Sequence, residues 1–271
     1  SQTGFFACVL SGADFSGATL SNILWKDMLC AGANFSKATL HMASFSSCDF
    51  KGAHWNEADI SLSTAVQCDF SETSWNGARL VKLQVLESPF AKADFSGAQL
   101  EEVSFIDSAF SEASMRHIHI NAALLAKCDL RKQNFSGCVL RRLNAMEADF
   151  SEADFSGARL EGCVFAKALF AKTDMRKTTA SRCQFDEARM MQADMRHGDF
   201  SESTFMNADL SEARLEGARF FSSNLQRVKA TVADFRGSDC RYADFSYGDL
   251  SGADFSGADL YVACLHSANA R

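Results

Sequence analysis

An apolar residue stands at every fifth position of this chain, from Phe5 to Ala270, without one insertion. In Ala148–Leu160, ADFSEADFSGARL, the rule is plain: Phe150, Phe155 and Leu160 each follow an alanine (Ala148, Ala153, Ala158) by two residues. We call the fifth-position residue the centre. The 54 centres hold 22 of the 24 phenylalanines and all three tryptophans, Trp25, Trp55 and Trp75. Two residues before the centre, 27 of 54 positions are Ala, and most others are Cys, Ser, Thr or Gly. One large and one small inward position thus alternate with three outward ones. A helix repeats about every 3.6 residues and a strand every two, so neither amphipathic pattern produces this period. A fixed short period signals a solenoid, in which no repeat buries its apolar face without its neighbours.

The pattern A(D/N)(L/F)xx over residues 3–270 resembles the bacterial pentapeptide-repeat family. The resemblance implies an all-β fold, a right-handed quadrilateral parallel β-helix with four pentapeptides to a square coil of twenty residues. At a stacking distance of about 4.8 Å, the repeats predict about 13 uninterrupted coils and a length of roughly 65 Å. The unbroken phase predicts a single solenoid domain over residues 1–271. Its continuation through Asn269-Ala270-Arg271 without a cap leads us to expect a piece of a longer protein. Burying one large side chain contributes about 1.5–3 kcal/mol, whereas fixing the backbone costs roughly 1–2 kcal/mol per residue. A lone pentapeptide cannot fold, and stability must come from coil-on-coil contacts.

A net charge of −7 argues against direct nucleic-acid binding, which needs a basic stripe to displace counterions. No stretch approaches 18 consecutive apolar residues, and no basic-then-apolar leader precedes Phe5. We therefore expect no membrane association and a bacterial cytoplasmic location, with a signal-independent secretion route as the alternative. Seven of the ten cysteines occupy the small inward position, Cys30 and Cys240 are centres, and Cys264 alone points outward. Cys48/Cys68 and Cys163/Cys183 lie twenty residues apart, a spacing that a disulfide could span. Free buried thiols are the favoured reading.

Thirteen of the 16 glycines lie two residues after a centre, as in Gly12, Gly97 and Gly157, which points to a corner of positive φ. Pro89 is the one proline, a scarcity suited to a backbone whose amides are committed to neighbouring coils. Gln133 is the one large polar residue at an inward position. It either satisfies its amide on corner carbonyls or marks a bulge; the bulge is preferred.

Two surfaces stand out. Residues directly after the centre on one face read Val66, Leu86, Ile106, Ala126, Met146 and Ala166, then Asp186 and Met206. A row of apolar side chains at outward positions suggests a protein-binding or self-association stripe (Val66, Leu86, Ile106, Met146). The competing reading is a local register change that buries them. On the same face, large inward residues stand beside small centres, as in Leu83 with Val85 and Leu143 with Ala145. The second surface is the series Asp234, Asp239, Asp244, Asp249, Asp254 and Asp259, each preceding a centre. It reads either as turn chemistry or as an acidic patch imitating DNA phosphates.

No nucleophile-and-base pair, metal-ligand spacing or phosphate loop is visible, so we expect no enzyme, no catalytic residue, no cofactor and no metal. His117 and His119 flank inward Ile118 but lack a third ligand nearby in sequence. Family resemblance implies two roles. Some members imitate B-form DNA and modulate type II topoisomerase (gyrase); this chain has the acidity but no projecting loops and no terminal helix. Others occur as domains of proteins linked to type VI secretion or as parts of effectors. The leading expectation is a non-catalytic scaffold or adaptor with a protein partner, possible self-association included, and the alternative is a DNA mimic.

Overall fold

A computed structural model describes residues 3–271. They fall into two compact units, Ser1–Gln133 and Asn134–Arg271. Both are built from coils of a parallel all-β solenoid. In the first unit the ladder strands are β1 (Thr3–Phe6), β2 (Thr19–Ser21), β3 (Ile23–Lys26), β4 (Thr39–His41), β5 (Ser44–Ser46) and β6 (Asp59–Ser61). They continue as β7 (Thr64–Val66), β8 (Arg79–Val81), β9 (Gln84–Leu86), β10 (Gln99–Glu101), β11 (Ser104–Ile106) and β12 (His119–Asn121). Odd-numbered strands stack in one sheet and even-numbered ones in another, on consecutive faces of the coil. The second unit has β13 (Val139–Arg141) paired with β14 (Arg159–Glu161).

Every ladder is parallel with a shift of twenty residues: Phe45 pairs with Ala65, Ala65 with Val85, and Leu140 with Leu160. Regular strands occupy six levels in the first unit and two in the second, eight rather than the expected 13. The difference lies in how coils are joined. Elsewhere a single residue per face bridges to the next coil, still twenty residues on, as in Asp154 to Asp174 and Asp234 to Asp254.

The core is two columns of side chains per face. Because each coil sits in register on the last, rings stack on rings: Phe35 on Trp55 at 4.1 Å and 8°, and Trp55 on Trp75 at 5.0 Å and 4°. In the second unit Phe150 stacks on Phe170 at 5.1 Å and Phe185 on Phe205 at 4.9 Å. Coil spacing thus coincides with the favourable separation of offset aromatic rings. Neighbouring faces meet edge to face, as Phe150 does Phe155 at 68°. Leu83 and Leu143 are buried beside the small centres Val85 and Ala145, which is the inward exchange of size that the sequence suggested, whereas Val103 is buried beside the large centre Phe105. A residual apolar cavity of only 10 Å³ remains where Ala65 and Val85 line the core among Trp55, Phe70 and Trp75.

Corners explain the rest of the repeat. The residue two after the centre has positive φ at every pentapeptide from Ala7 to Ser267, whether or not it is glycine. Glycine was the visible sign of this rule; lysine, glutamate and even Val232 (φ 56°) obey it too. Two sets of bonds hold the geometry. The corner amide donates to the next coil, as Lys172 N to Met191 O at 3.0 Å, and the centre carbonyl commonly accepts from the next inward amide, as Phe150 O from Ala153 N at 3.0 Å.

Gln133 keeps its inward place without a bulge, contrary to the preferred expectation. Its Nε2 donates to Phe110 O at 2.9 Å, because a backbone carbonyl of the coil above lies within reach; Oε1 is buried without a partner among the described residues. Pro89 is exposed, and its carbonyl still accepts from Phe70 N at 2.9 Å.

A β-branched side chain in the left-handed region is strained by about 1–3 kcal/mol. Val232→Asn should therefore stabilise the protein by about 1 kcal/mol in urea denaturation, whereas Phe155→Ala, which empties a buried ring site, should cost about 3–5 kcal/mol.

Candidate interaction surfaces

Val66, Leu86 and Ile106 end strands β7, β9 and β11 and lie in register with one another. The pairing 65/85/105 is undisturbed beside them, so no register change draws this row inward. Val66 is 37% exposed, whereas Leu86 and Ile106 are half-buried, each lying against its in-register neighbours. Met146, in the second unit, is 39% exposed, and its amide donates to Asn144 Oδ1 at 3.2 Å. Ala126, Ala166, Asp186 and Met206 are half-buried. Beside the row runs a shallow groove of 390 Å³ between the column Thr64, Gln84, Ser104 and the corner column Leu62, Lys82, Glu102.

Sequence reasoning overlooked Met42 and Leu62, both 51% exposed at corners next to this face. Their signal was an apolar residue in the positive-φ position, where charged or small residues prevail. It also overlooked an aromatic cluster in the second unit. Phe221 meets Tyr242 at 5.4 Å, Tyr242 meets Tyr261 at 5.9 Å, and the guanidinium groups of Arg219 and Arg241 each lie 5.5 Å from the Phe221 ring. All three tyrosines of the chain, and one of its two phenylalanines outside the centres, are outward residues between positions 221 and 261. That departure from phase was legible.

The six aspartates are structural. Each accepts through Oδ1 from the amide two residues on: Asp234 from Arg236 at 3.1 Å, Asp239 from Arg241 at 3.3 Å, and Asp244 from Ser246 at 2.9 Å. Asp249, Asp254 and Asp259 do the same with Ser251, Ser256 and Tyr261, at 3.2, 2.9 and 3.0 Å. The side chain thereby closes an Asx turn at the start of each corner. Four carboxylates also pair with arginine: Asp234 with Arg236 at 2.7 Å and Asp239 with Arg241 at 2.8 Å, and more loosely Asp254 with Arg236 at 3.9 Å and Asp259 with Arg241 at 3.6 Å. Gln226 Nε2 donates to Asp244 Oδ2 at 2.5 Å.

These bonds hold the carboxyls of Asp234, Asp239, Asp244, Asp249 and Asp254 below their ordinary range. The bond from Arg236 does so for Asp234 and that from Arg241 for Asp239; Ser251 and Ser256 act on Asp249 and Asp254. For Asp244, burial pushes the other way and is outweighed by Gln226 and Ser246.

His117 and His119 are exposed on either side of buried Ile118. All ten cysteines are free thiols. Cys48 Sγ donates to Trp25 O at 3.4 Å, and Cys163 Sγ to Leu140 O at 3.3 Å. Burial pushes Cys128 and Cys240 up to about 12, so these are packing groups and not nucleophiles. Exposed Cys264 lies 3.1 Å from Ser246 Oγ.

The family model for pentapeptide repeats matches in eight copies, over residues 8–54, 123–162, 158–196, 188–227, 199–237 and 233–269. The chain belongs to the pentapeptide-repeat family. Its members are typically non-enzymatic structural or protein-binding scaffolds. Among solved structures, the chain is similar to trypsin-treated QnrB1, a plasmid-mediated fluoroquinolone resistance protein, at 17% identity over 96% of this chain and 90% of that one, with a TM-score of 0.35. It is also similar to HetL, a pentapeptide-repeat protein involved in heterocyst differentiation regulation in the cyanobacterium Nostoc sp. strain PCC 7120, at 20% identity over 93% and 86%, with a TM-score of 0.20. A third likeness is to a thylakoid-lumen pentapeptide-repeat protein of Arabidopsis thaliana, at 26% identity over 49% and 68%, with a TM-score of 0.23. At these values the overlays carry no argument about function. No curated protein matches the chain.

The Asx turn separates the two roles of the aspartates. Asp234→Asn keeps an acceptor oxygen and should leave stability within a few tenths of a kcal/mol, while Asp234→Ala should cost about 1 kcal/mol. A carboxyl whose folded pKa is depressed stabilises fully above its unfolded value, near 3.9. That contribution is lost as pH falls through the lower folded value, so thermal melting should show stability falling below about pH 4, and less steeply in Asp234→Asn than in wild type.

Proposed function

We propose that this protein is a non-catalytic protein-interaction scaffold whose working surface in the first unit is the apolar row Val66, Leu86 and Ile106, with Met146 as an exposed apolar contact of the second unit. The observation that supports it is the in-register alignment of three branched aliphatic side chains at outward positions, where the repeat has no structural need of them. Core positions are filled without them, and the corners are closed by other residues. Adjacent Leu62 and Met42 widen the apolar area at the neighbouring corner. A face of this kind suits a partner that brings an apolar surface of its own, which gives association by burial and not by charge. The secretion-associated setting rests on family resemblance alone.

The alternative, a DNA mimic acting on a type II topoisomerase, draws support from the net charge of −7. Its weakness is that the carboxylates between positions 234 and 259 are turn acceptors, several of them paired with arginine. They form a less negative surface than the aspartate count suggests.

Cross-linked capture from bacterial lysate, with bound proteins identified by mass spectrometry, separates the two. Under the scaffold reading, Leu86→Asp with Ile106→Asp should reduce recovery of the specific partner at least tenfold, while Asn replacements at Asp234, Asp244 and Asp254 leave it unchanged. Recovery of gyrase or topoisomerase IV that is indifferent to the aliphatic substitutions and lost with the aspartates would reverse the assignment.

A further inference from the structure

One groove of the second unit has only cationic groups among the charged side chains of its lining, although two of them are ion-paired from behind with Asp174 and Asp194. Its volume is 480 Å³, and it is lined by Ser156, Gly157, Arg176, Lys177, Arg196 and His197, which belong to three successive coils of one face. Two other grooves mix signs, Lys82 with Glu102 in one and Arg182 and Arg219 with Glu161, Asp199 and Glu202 in the other. In a chain of net charge −7, four basic groups facing one hollow is a departure that solubility does not require.

The arginines are held in place from behind. Arg176 gives Nε and Nη2 to Asp174, at 2.9 and 2.5 Å, and Arg196 gives Nε and Nη2 to Asp194, at 2.8 and 2.7 Å. Among the described residues no protein acceptor takes Nη1 of either. Lys177 Nζ and the His197 ring likewise have no side-chain partner, although their amides are fixed to Arg196 O and Glu216 O at 3.0 and 3.1 Å. The His197 ring lies over Gly217, where an added Cβ would come within 2.6 Å of Nδ1, so the ring's place depends on that glycine. At the other end, Gly157 has nothing within 4 Å of where its Cβ would be, which leaves the backbone open to approach.

We propose that this groove binds a small molecule bearing a phosphate monoester. The fork edges that would clasp a carboxylate are already filled by Asp174 and Asp194. What remains is a set of single donors on successive coils, Arg176 Nη1, Arg196 Nη1, Lys177 Nζ and the Ser156 hydroxyl. Separate donors suit three terminal oxygens of a dianion better than the two of a carboxylate. This inference is independent of the apolar row in the first unit.

The test is titration of the full chain with glycerol phosphate, followed by amide NMR, with acetate at matched ionic strength as the control. Saturable shifts at Gly157, Lys177 and His197 are expected, and acetate should leave them small. Lys177→Asn with His197→Asn should weaken binding at least tenfold; asparagine tolerates positive φ, so the corners persist and the melting temperature should hold. Gly157→Asp is a second variant, placing a carboxylate in the hollow at a corner type that Asp27 and Asp107 already occupy elsewhere, and should abolish binding. The proposal fails if shifts do not saturate, if acetate matches glycerol phosphate, or if Lys82→Asn, in the first unit, weakens binding as much as the groove variants.

Discussion

The twenty-residue register is the constraint on which everything else in this protein depends. Because each coil sits on the next with like positions superposed, one pentapeptide rule becomes a set of vertical columns. Rings stack on rings at 4.1 to 5.6 Å, alanines and thiols fill the narrow column between, and the outward positions form stripes. A shift of one residue would turn Phe150 outward and Ser151 inward, and would do the same on every face of that coil. The cost would exceed what any surface contact could return. Register is therefore specified many times over, which accounts for its survival at Ala65, Val85 and Ala145, where the centre shrinks and its inward neighbour does not always compensate.

The corners carry the strain that this regularity creates. Four bends per coil require a residue of positive φ in each pentapeptide, a conformation costly to most side chains. Backbone bonds from coil to coil hold that residue, and the Asx acceptor before the centre fixes the start of the bend. Asp or Asn in that position, and Gly, Lys or Glu at the corner, are thus answers to a single geometric demand.

Much of this was legible. The period, the inward pair, the family and the free thiols followed from residue spacing, since spacing alone fixes which side chains superpose. Ladder strands were not legible: one and the same repeat pairs along three residues at Gln84–Leu86 with Ser104–Ile106 and bridges through a single residue at Asp154 with Asp174, and residue spacing is identical in the two. Nor did spacing show that Gln133 would find Phe110 O and need no bulge, because that bond joins positions 23 residues apart. At the surface, the row through Val66, Leu86 and Ile106 was found from its period. The cluster of Phe221, Tyr242 and Tyr261 was missed because its members use two different positions of the repeat and meet only across coils.

Stacking also governs the electrostatics, in a way that net charge conceals. An arginine after the centre lies near the aspartate of its own pentapeptide and within reach of acids one coil away. Arg236 is 2.7 Å from Asp234, 3.8 Å from Glu216 and 3.9 Å from Asp254, and Asp194 is shared between Arg196 and Arg214. Each exposed pair contributes little to stability. Their effect is to quench the field of most columns, so that acidity averaged over the chain says little about any one face. Where such pairing leaves donors over, as along Arg176, Lys177, Arg196 and His197, those donors are local and directional. In a solenoid the repeat supplies the frame, and recognition has to be sought in the few positions that depart from it.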